Sequence, residues 1–321
     1  MLATPVVVAL ILVIASGIFV ATRFSGSDDS FSASRTTAPE GRQIPMALLR
    51  SVDPCGLVNE VPPGAGTPTG KGAGYPMWSE CQLRTQGGTY GTLVIDLRLD
   101  DDIRGYTFDT PDASDHINGL RVGHKKTDLL GRKPGECGVA VPTENRELVV
   151  GLAVSGVSGA DPCTVVTEFF TPIVQRLGAN PPRHPSPPGS LVAVDPCSVL
   201  DLATLEPIIG RTGAGVPDAG VHQCEWSGTV ALTAQFSVER ESKVKSTGLT
   251  RFVAVGPIPF YEEHLTDGLC TYTYIQLTDL SDFAETAKVT VQSQDKSLYP
   301  QLCDKARTAA AALVPKLPKT R

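Results

Sequence analysis

The triplet Asp-Pro-Cys occurs three times in this chain, in SVDPCGLVNE (51–60), GADPCTVVTE (159–168) and AVDPCSVLDL (193–202). Asp is a favoured helix N-cap, and Pro suits the first helical position, where its missing N–H costs nothing. Each triplet precedes an apolar-periodic run and therefore predicts a helix start. Asp53, Asp161 and Asp195 become N-caps, and Cys55, Cys163 and Cys197 fall in the first turn. A thiol placed there can be acidified by the helix dipole and serve as a nucleophile or redox group. Three observations oppose that chemistry. The adjacent carboxylate disfavours a thiolate, no C-x-x-C occurs, and cysteine spacings of 26 residues or more lack the close pairs of a zinc site. A disulfide that pins each helix start to a strand fits better.

The spacing of all eight cysteines extends this reading. Cys55, Cys81, Cys137 and Cys163 are followed by Cys197, Cys224, Cys270 and Cys303 at offsets of 142, 143, 133 and 140 residues. VDPC stands at both first cysteines, and MWSECQL (77–83) faces HQCEWSG (222–228) at the second. Near-constant offsets with matching flanks predict a tandem duplication. Within a repeat, four cysteines allow three connectivities. We prefer first with second and third with fourth: Cys55–Cys81, Cys137–Cys163, Cys197–Cys224 and Cys270–Cys303. A non-reducing peptide map joining Cys55 to Cys163 would exclude that choice.

Each repeat carries the same coarse pattern. A short helix follows the first cysteine; in VLDLATLEPIIG (199–210), Val199, Leu202, Leu205 and Ile209 form one stripe and Gly210 a C-cap. After a Gly-rich loop and the second cysteine, a strand alternates: Leu93, Ile95, Leu97 and Leu99 in one repeat, and Val230, Leu232, Ala234, Phe236 and Val238 in the other. An irregular acidic segment leads to two further strands, opened by the third cysteine. The fourth cysteine begins a terminal helix. Its apolar face is Val166, Phe169, Phe170, Ile173, Val174 and Leu177 in repeat one, with Pro172 expected to bend or end it. In repeat two the face is Leu302, Ala306, Ala309, Ala310 and Leu313. The expected class is α+β: two tandem disulfide-braced domains, each an antiparallel sheet with helices on one face.

The remaining segments set the boundaries. LATPVVVALILVIASGIFVAT (2–22) is an uncharged run of 21 residues. About 20 apolar residues span a bilayer as a helix, and the length favours an uncleaved anchor over a signal peptide. FSGSDDSFSASRTTAPEGRQ (24–43) is too polar to fold and reads as a tether. GANPPRHPSPPGS (178–190), with five prolines in thirteen residues, reads as a semi-rigid linker. The expected layout is an anchor over 1–23, a tether over 24–45, domains over 46–178 and 190–321, and a linker over 179–189. Arg23 mildly opposes the positive-inside rule. The cysteines decide orientation, because disulfides need an oxidising compartment; residues 23–321 are expected outside the cytoplasm.

VDPC and its helix, a Gly-rich loop, then C-x-W (Cys224, Glu225, Trp226) and a strand resemble the actinobacterial "domain of unknown function 3558" proteins. The resemblance is best from Val194 to about Val238. In repeat one Trp78 precedes Cys81, and VPPGAG shortens the helix after Cys55. It implies a cell-envelope location and assigns no activity. Many members are lipid-anchored; no cysteine follows the apolar run here, and an anchor helix would take that role.

Other chemistry is sparse. A net charge of −6 argues against nucleic-acid partners. GAGTPTGKGAG (64–74) fails the phosphate-loop pattern, since Ala65 replaces its first Gly and Gly72 its hydroxyl, so it reads as a surface loop without nucleotide. The basic group Lys125, Lys126, Arg132 and Lys133 reads as a solvated loop. His116, His124, His184, His222 and His264 form no metal motif. Asp100, Asp101 and Asp102 with Asp109, Asp112 and Asp115 lack a calcium-loop pattern. Trp78 and Trp226 read as core residues against disulfides. No catalytic residue, metal or cofactor is expected. A non-catalytic envelope protein binding a protein, lipid or cell-wall ligand is the leading reading. An accessory subunit of a secretion or division complex is the first alternative. The second is a hydrolase using Glu262 and Glu263, which would need two carboxylates about 5–10 Å apart in a cleft.

Overall fold

The computed structural model describes residues 43–59, 64–71, 78–108, 116–125, 135–145, 147–216, 220–246, 250–266, 268–278 and 282–320. The predicted anchor and the tether as far as Arg42 lie outside them. No helix among the described residues is long and apolar enough to cross a membrane.

Alternating apolar residues build two antiparallel sheets. The first contains β1 (Gly66–Lys71), β2 (Glu80–Gly88), β3 (Gly91–Asp102), β4 (Tyr106–Thr107), β7 (Gly123–Lys125), β8 (Cys137–Pro142) and β9 (Leu148–Ser155), in the order β1-β2-β3-β9-β8-β7-β4. A separate two-stranded ladder joins β5 (His116–Ile117) and β6 (Leu120–Arg121). The second sheet contains β10 (Gln223–Ser227), β11 (Ala231–Arg240), β12 (Thr250–Val255), β13 (Ile258–Thr266), β14 (Leu269–Leu277) and β15 (Phe283–Gln292), in the order β10-β11-β15-β14-β13-β12. Leu93, Ile95, Leu97 and Leu99 on β3 are buried on one face, as are Leu232, Ala234, Phe236 and Val238 on β11. β8 is buried along its whole length, because Ala140 on its other face joins Val149, Ile103, Tyr106 and Phe108 in a small third core.

Among the described residues six α-helices accompany the sheets: α1 (Met46–Leu49), α2 (Pro54–Val58), α3 (Pro162–Ala179), α4 (Leu202–Ile209), α5 (Glu241–Ser246) and α6 (Leu302–Leu313). α3 packs on β8 and β9, and α6 on β14 and β15. α3 runs through Pro172 rather than ending there. Pro172 lies on the exposed side of the helix, where water can satisfy the carbonyl it leaves unbonded.

All eight cysteines are paired: Cys55–Cys81, Cys137–Cys163, Cys197–Cys224 and Cys270–Cys303. Each bond joins a helical first turn to a strand. Asp53 accepts the N–H of Cys55 at 2.9 Å, Asp195 that of Cys197 at 3.0 Å, and Asp161 that of Thr164 at 2.8 Å. Around Cys197 the predicted continuous helix is split. Pro196–Ser198 form a single 3-10 turn, and Asp201 then caps α4 by accepting the Thr204 N–H at 2.8 Å. This second start turns Leu202 to solvent, 43% exposed, and the buried stripe becomes Leu205, Ile208 and Ile209. Gly210 closes α4 at φ 81°, where a side chain would be strained.

Two further stretches differ from expectation. The glycine-rich segment read as a loop pairs with β2 as β1. The segment 250–266, left without structure by the sequence pattern, is the hairpin β12–β13, turned at Gly256. β12 is an edge strand with little buried surface, so it carries no apolar alternation.

The described residues form one compact unit. The chain is already packed at Ile44, which is buried and pairs with Thr143, two residues before the expected boundary. The proline-rich segment is held at both ends. Asp53 N–H donates to the Pro182 carbonyl at 2.9 Å and His184 N–H to that of Ser51 at 2.9 Å. Farther along, Gln276 donates to the Gly189 carbonyl at 2.9 Å. Buried Glu285 takes the Ser190 hydroxyl at 2.8 Å and the Leu191 N–H at 2.6 Å. Replacing Glu285 by Ala orphans two buried donors, so we expect a loss of about 1–3 kcal/mol, read from urea unfolding. An unchanged midpoint would deny this clamp its role.

The two principal cores exchange one residue each. Trp78, from the first half, packs in the core of the second sheet; Val221, from the second half, packs in the core of the first. Each lies three residues before the second cysteine of its half.

Candidate functional site

The segments that carry Trp78 and Val221 enter β2 and β10 in the same way. Leu99 N–H donates to the Ser79 carbonyl at 2.8 Å, and Phe236 N–H to the His222 carbonyl at 2.9 Å. Arg50 Nε donates to the Val221 carbonyl at 3.3 Å and its guanidinium pairs with Asp195 at 3.0 Å. His184 Nε2 lies 3.0 Å from the Trp78 carbonyl. Asp195 thus caps its turn and ties the two halves together.

Where the segments meet, a cleft of about 440 Å³ opens between β2–β3 and β10–β11. That size lies within the range of about 300–1,000 Å³ common for small-molecule sites. Its inner wall is His222, 7% exposed, with the Trp78 ring tilted against it at 4.9 Å between centroids. Neither imidazole nitrogen has a hydrogen-bond partner among the described residues. Burial, reinforced by the nearby charges of His184 and Arg50, pushes the His222 pKa down to about 3. The ring is therefore neutral at physiological pH, with one N–H donor and one nitrogen acceptor. Leaving such groups buried and unpaired costs about 1–3 kcal/mol each.

Asp100 stands beside it and accepts the Val221 N–H at 3.1 Å. Burial drives its pKa up to about 6, against the lowering effect of the Val221 N–H and the Ser79 hydroxyl, with Asp101 and Glu80 adding repulsion. Gly220 makes this approach possible: a Cβ there would stand 2.7 Å from the Asp100 carboxylate. At the rim, Arg98 bridges Glu80 at 3.4 Å and Asp96 at 3.3 Å. Asp101 accepts the Tyr106 hydroxyl at 2.8 Å. Glu239 holds Lys288 at 2.5 Å and the Ser237 hydroxyl at 2.9 Å. Arg240 and Lys243 complete the charged lining.

The sequence placed Trp78 as a core residue against a disulfide. It is a core residue, but of the other half, and it also lines the cleft. Trp226 is buried in the second core near the Cys224 sulfur, both beside Gly215. The acidic triplet is dispersed among partners: Asp100 bonds Val221, Asp101 bonds Tyr106, and Asp102 caps the turn Ile103–Gly105. Asp109, Asp112 and Asp115 lie outside the described residues, as do Lys126, Arg132 and Lys133. His116 is exposed on β5, and His124 sits on β7. The side chain of His264 is not among those described. No group of three His, Cys, Asp or Glu side chains among the described residues could hold a metal ion.

Glu262 and Glu263 are neighbours on β13 and therefore point to opposite faces of the sheet. Glu262, 6% exposed, is held by Arg251 at 2.6 Å and by Arg307 at 3.8 Å, and accepts the Tyr272 hydroxyl. The Tyr272 pKa rises to about 12 through burial and the bond to Glu262. Glu262 is thus engaged in an ion-pair network and does not form an acid–base couple with its neighbour.

His222 escaped sequence reasoning as a site residue. Its only signal was a polar side chain set between Val221 and Cys224 in a run otherwise bound for the core.

No protein-family profile matches the chain, and no curated protein matches it. Two solved structures are similar at the level of a remote superposition. The crystal structure of the di-domain ARO/CYC StfQ from the steffimycin biosynthetic pathway shares 13% identity over 85% of this chain and 89% of that chain, with a TM-score of 0.16. The di-domain ARO/CYC BexL from the BE-7585A biosynthetic pathway shares 12% identity over 88% of this chain and 97% of that chain, also with a TM-score of 0.16. Superposition at that level carries no argument about fold or activity.

Proposed function

We propose that the chain is a membrane-anchored extracytoplasmic protein of the cell envelope. In this reading it is a non-catalytic binding protein, built from two tandem copies of one disulfide-braced α+β module and holding its ligand in the cleft between them. The observation that carries the reading is the pairing of every cysteine into disulfides, the covalent pattern of exported proteins. Duplication is supported by the matching strand orders β2-β3-β9-β8 and β10-β11-β15-β14, and by bonds at corresponding places in each half. The apolar run 2–22 supplies the anchor. A protein, lipid or cell-wall component remains the partner class, without nucleic acid, nucleotide or cofactor.

Protease and thiol labelling on intact cells test the location. Externally added protease should remove the chain beyond residue 43, and a permeant maleimide should label none of its cysteines until a reductant is added. A protease-protected chain with free thiols would place the protein in the cytoplasm and end this reading.

A further inference from the structure

We propose that the chain forms a twofold dimer through the free edge of the second sheet, β12 of one copy pairing antiparallel with β12 of another about Phe252. The contact needs neither the anchor nor the cleft.

The sheet edges differ in how they are guarded. An open edge invites pairing with another chain, and folds blunt it with Pro, bulges, short strands or covering segments. β1 carries Pro68 and a register shift between Pro68 and Gly70. β4 is two residues long. β10 is covered by Val216, which exchanges two backbone hydrogen bonds of 2.9 Å with Glu225. β12 has none of these devices. It pairs with β13 over six residues in unbroken register, and no strand among the described residues flanks its outer side.

Phe252 marks the same edge. The strand orders β2-β3-β9-β8-β7-β4 and β10-β11-β15-β14-β13-β12 correspond. Ala140, three residues after Cys137, stands opposite Gly123, and a Cβ on Gly123 would lie 2.6 Å from the Phe108 ring. Thr273, three residues after Cys270, stands opposite Tyr261, and Tyr261 opposite Phe252. Phe108 and Phe252 thus occupy matching places. Phe108 lies over Gly123 and is buried in the small third core. In the second sheet Tyr261 takes the place of that glycine, and Phe252 stands edge-on against it at 5.8 Å between centroids. Phe252 is 65% exposed, the most exposed large apolar side chain among the described residues.

The sequence of the strand selects a second copy as the occupant. A twofold at Phe252 sets the two Phe252 rings side by side, Arg251 of one copy opposite Val253 of the other, and Thr250 opposite Ala254. No like charges meet. The one charge on β12, Arg251, is neutralised by Glu262 at 2.6 Å, on the face opposite to Phe252.

The test is sedimentation velocity of the full chain in detergent across the micromolar range. We expect a concentration-dependent dimer. Phe252→Lys should raise its dissociation constant about tenfold or more, with an unchanged urea midpoint at high dilution, and Phe252→Tyr should preserve the dimer. Directly opposite residues hold their Cβ atoms about 4.5–5.5 Å apart, within disulfide reach. Mild oxidation should therefore link the double variant Thr250→Cys/Ala254→Cys into covalent dimers and leave both single variants unlinked. A wild type that stays monomeric overturns the proposal and leaves the edge to an extended segment of another protein. A dimer untouched by Phe252→Lys overturns it in favour of a different contact, such as the anchor. Loss of the dimer in Phe252→Lys without cross-linking of the double variant overturns the pairing about Phe252.

Discussion

Reduction of the four disulfides is expected to unfold the chain under conditions in which the oxidised protein is native. The closed loops span 26, 26, 27 and 33 residues. Cross-links of that span stabilise by about 3–4 kcal/mol each through the entropy they remove from the unfolded chain. Native domains hold only about 5–15 kcal/mol in all, so loss of four such terms exhausts an ordinary margin. Local structure adds to the argument. α2 has five residues and the turn at Cys197 three, both far too short to persist alone. Urea titrations of the Cys270→Ser/Cys303→Ser and Cys55→Ser/Cys81→Ser double variants should each show a loss of that size, and near-ultraviolet circular dichroism should vanish on full reduction. A reduced chain with the oxidised urea midpoint would refute the expectation.

The cleft predicts opposed pH dependences. His222 titrates near 6.5 when unfolded and at about 3 when folded. The unfolded chain therefore binds the extra proton between those values, and stability falls as pH drops through this window. The loss amounts to about 3 kcal/mol between roughly pH 7 and pH 4 by proton linkage. Asp100 works the other way. Its folded pKa of about 6 exceeds the unfolded 3.8, so its stabilisation is complete below the unfolded value and is lost as pH rises through about 6. Glu80, raised by burial, has the same sign as Asp100. In the wild type the terms partly cancel. Asp100→Asn should leave the histidine term opposed only by Glu80, with steeper destabilisation on acidification. His222→Phe should reverse the difference and gain on acidification relative to the wild type. Urea midpoints from about pH 4 to pH 7 decide the matter, and parallel curves for both variants would contradict it.

Much of the scaffold was legible because it depends on local rules. Asp-Pro specifies a helix start whatever surrounds it, and the alternation at Leu93–Leu99 specifies a half-buried strand. The failures have physical causes. Asp201 competes with Asp195 as a cap, and one turn of sequence cannot show where the helix restarts. β12 lies at a sheet edge with only Val253 and Val255 partly packed against the core, so no clear burial pattern marks it. The cleft was illegible for a deeper reason. His222, Asp100 and Trp78 come from segments more than a hundred residues apart or from different strands, and His222 acquires its character only from what its surroundings withhold: water and partners.

The exchange of Trp78 and Val221 has a thermodynamic consequence. Two sheets in tandem could melt separately, like beads on a string. Here each core is completed by a side chain delivered from the other half, so opening either one leaves a hole in its neighbour. The halves then share one unfolding equilibrium, and a fragment ending at the proline-rich segment would lack Val221, a piece of its own interior.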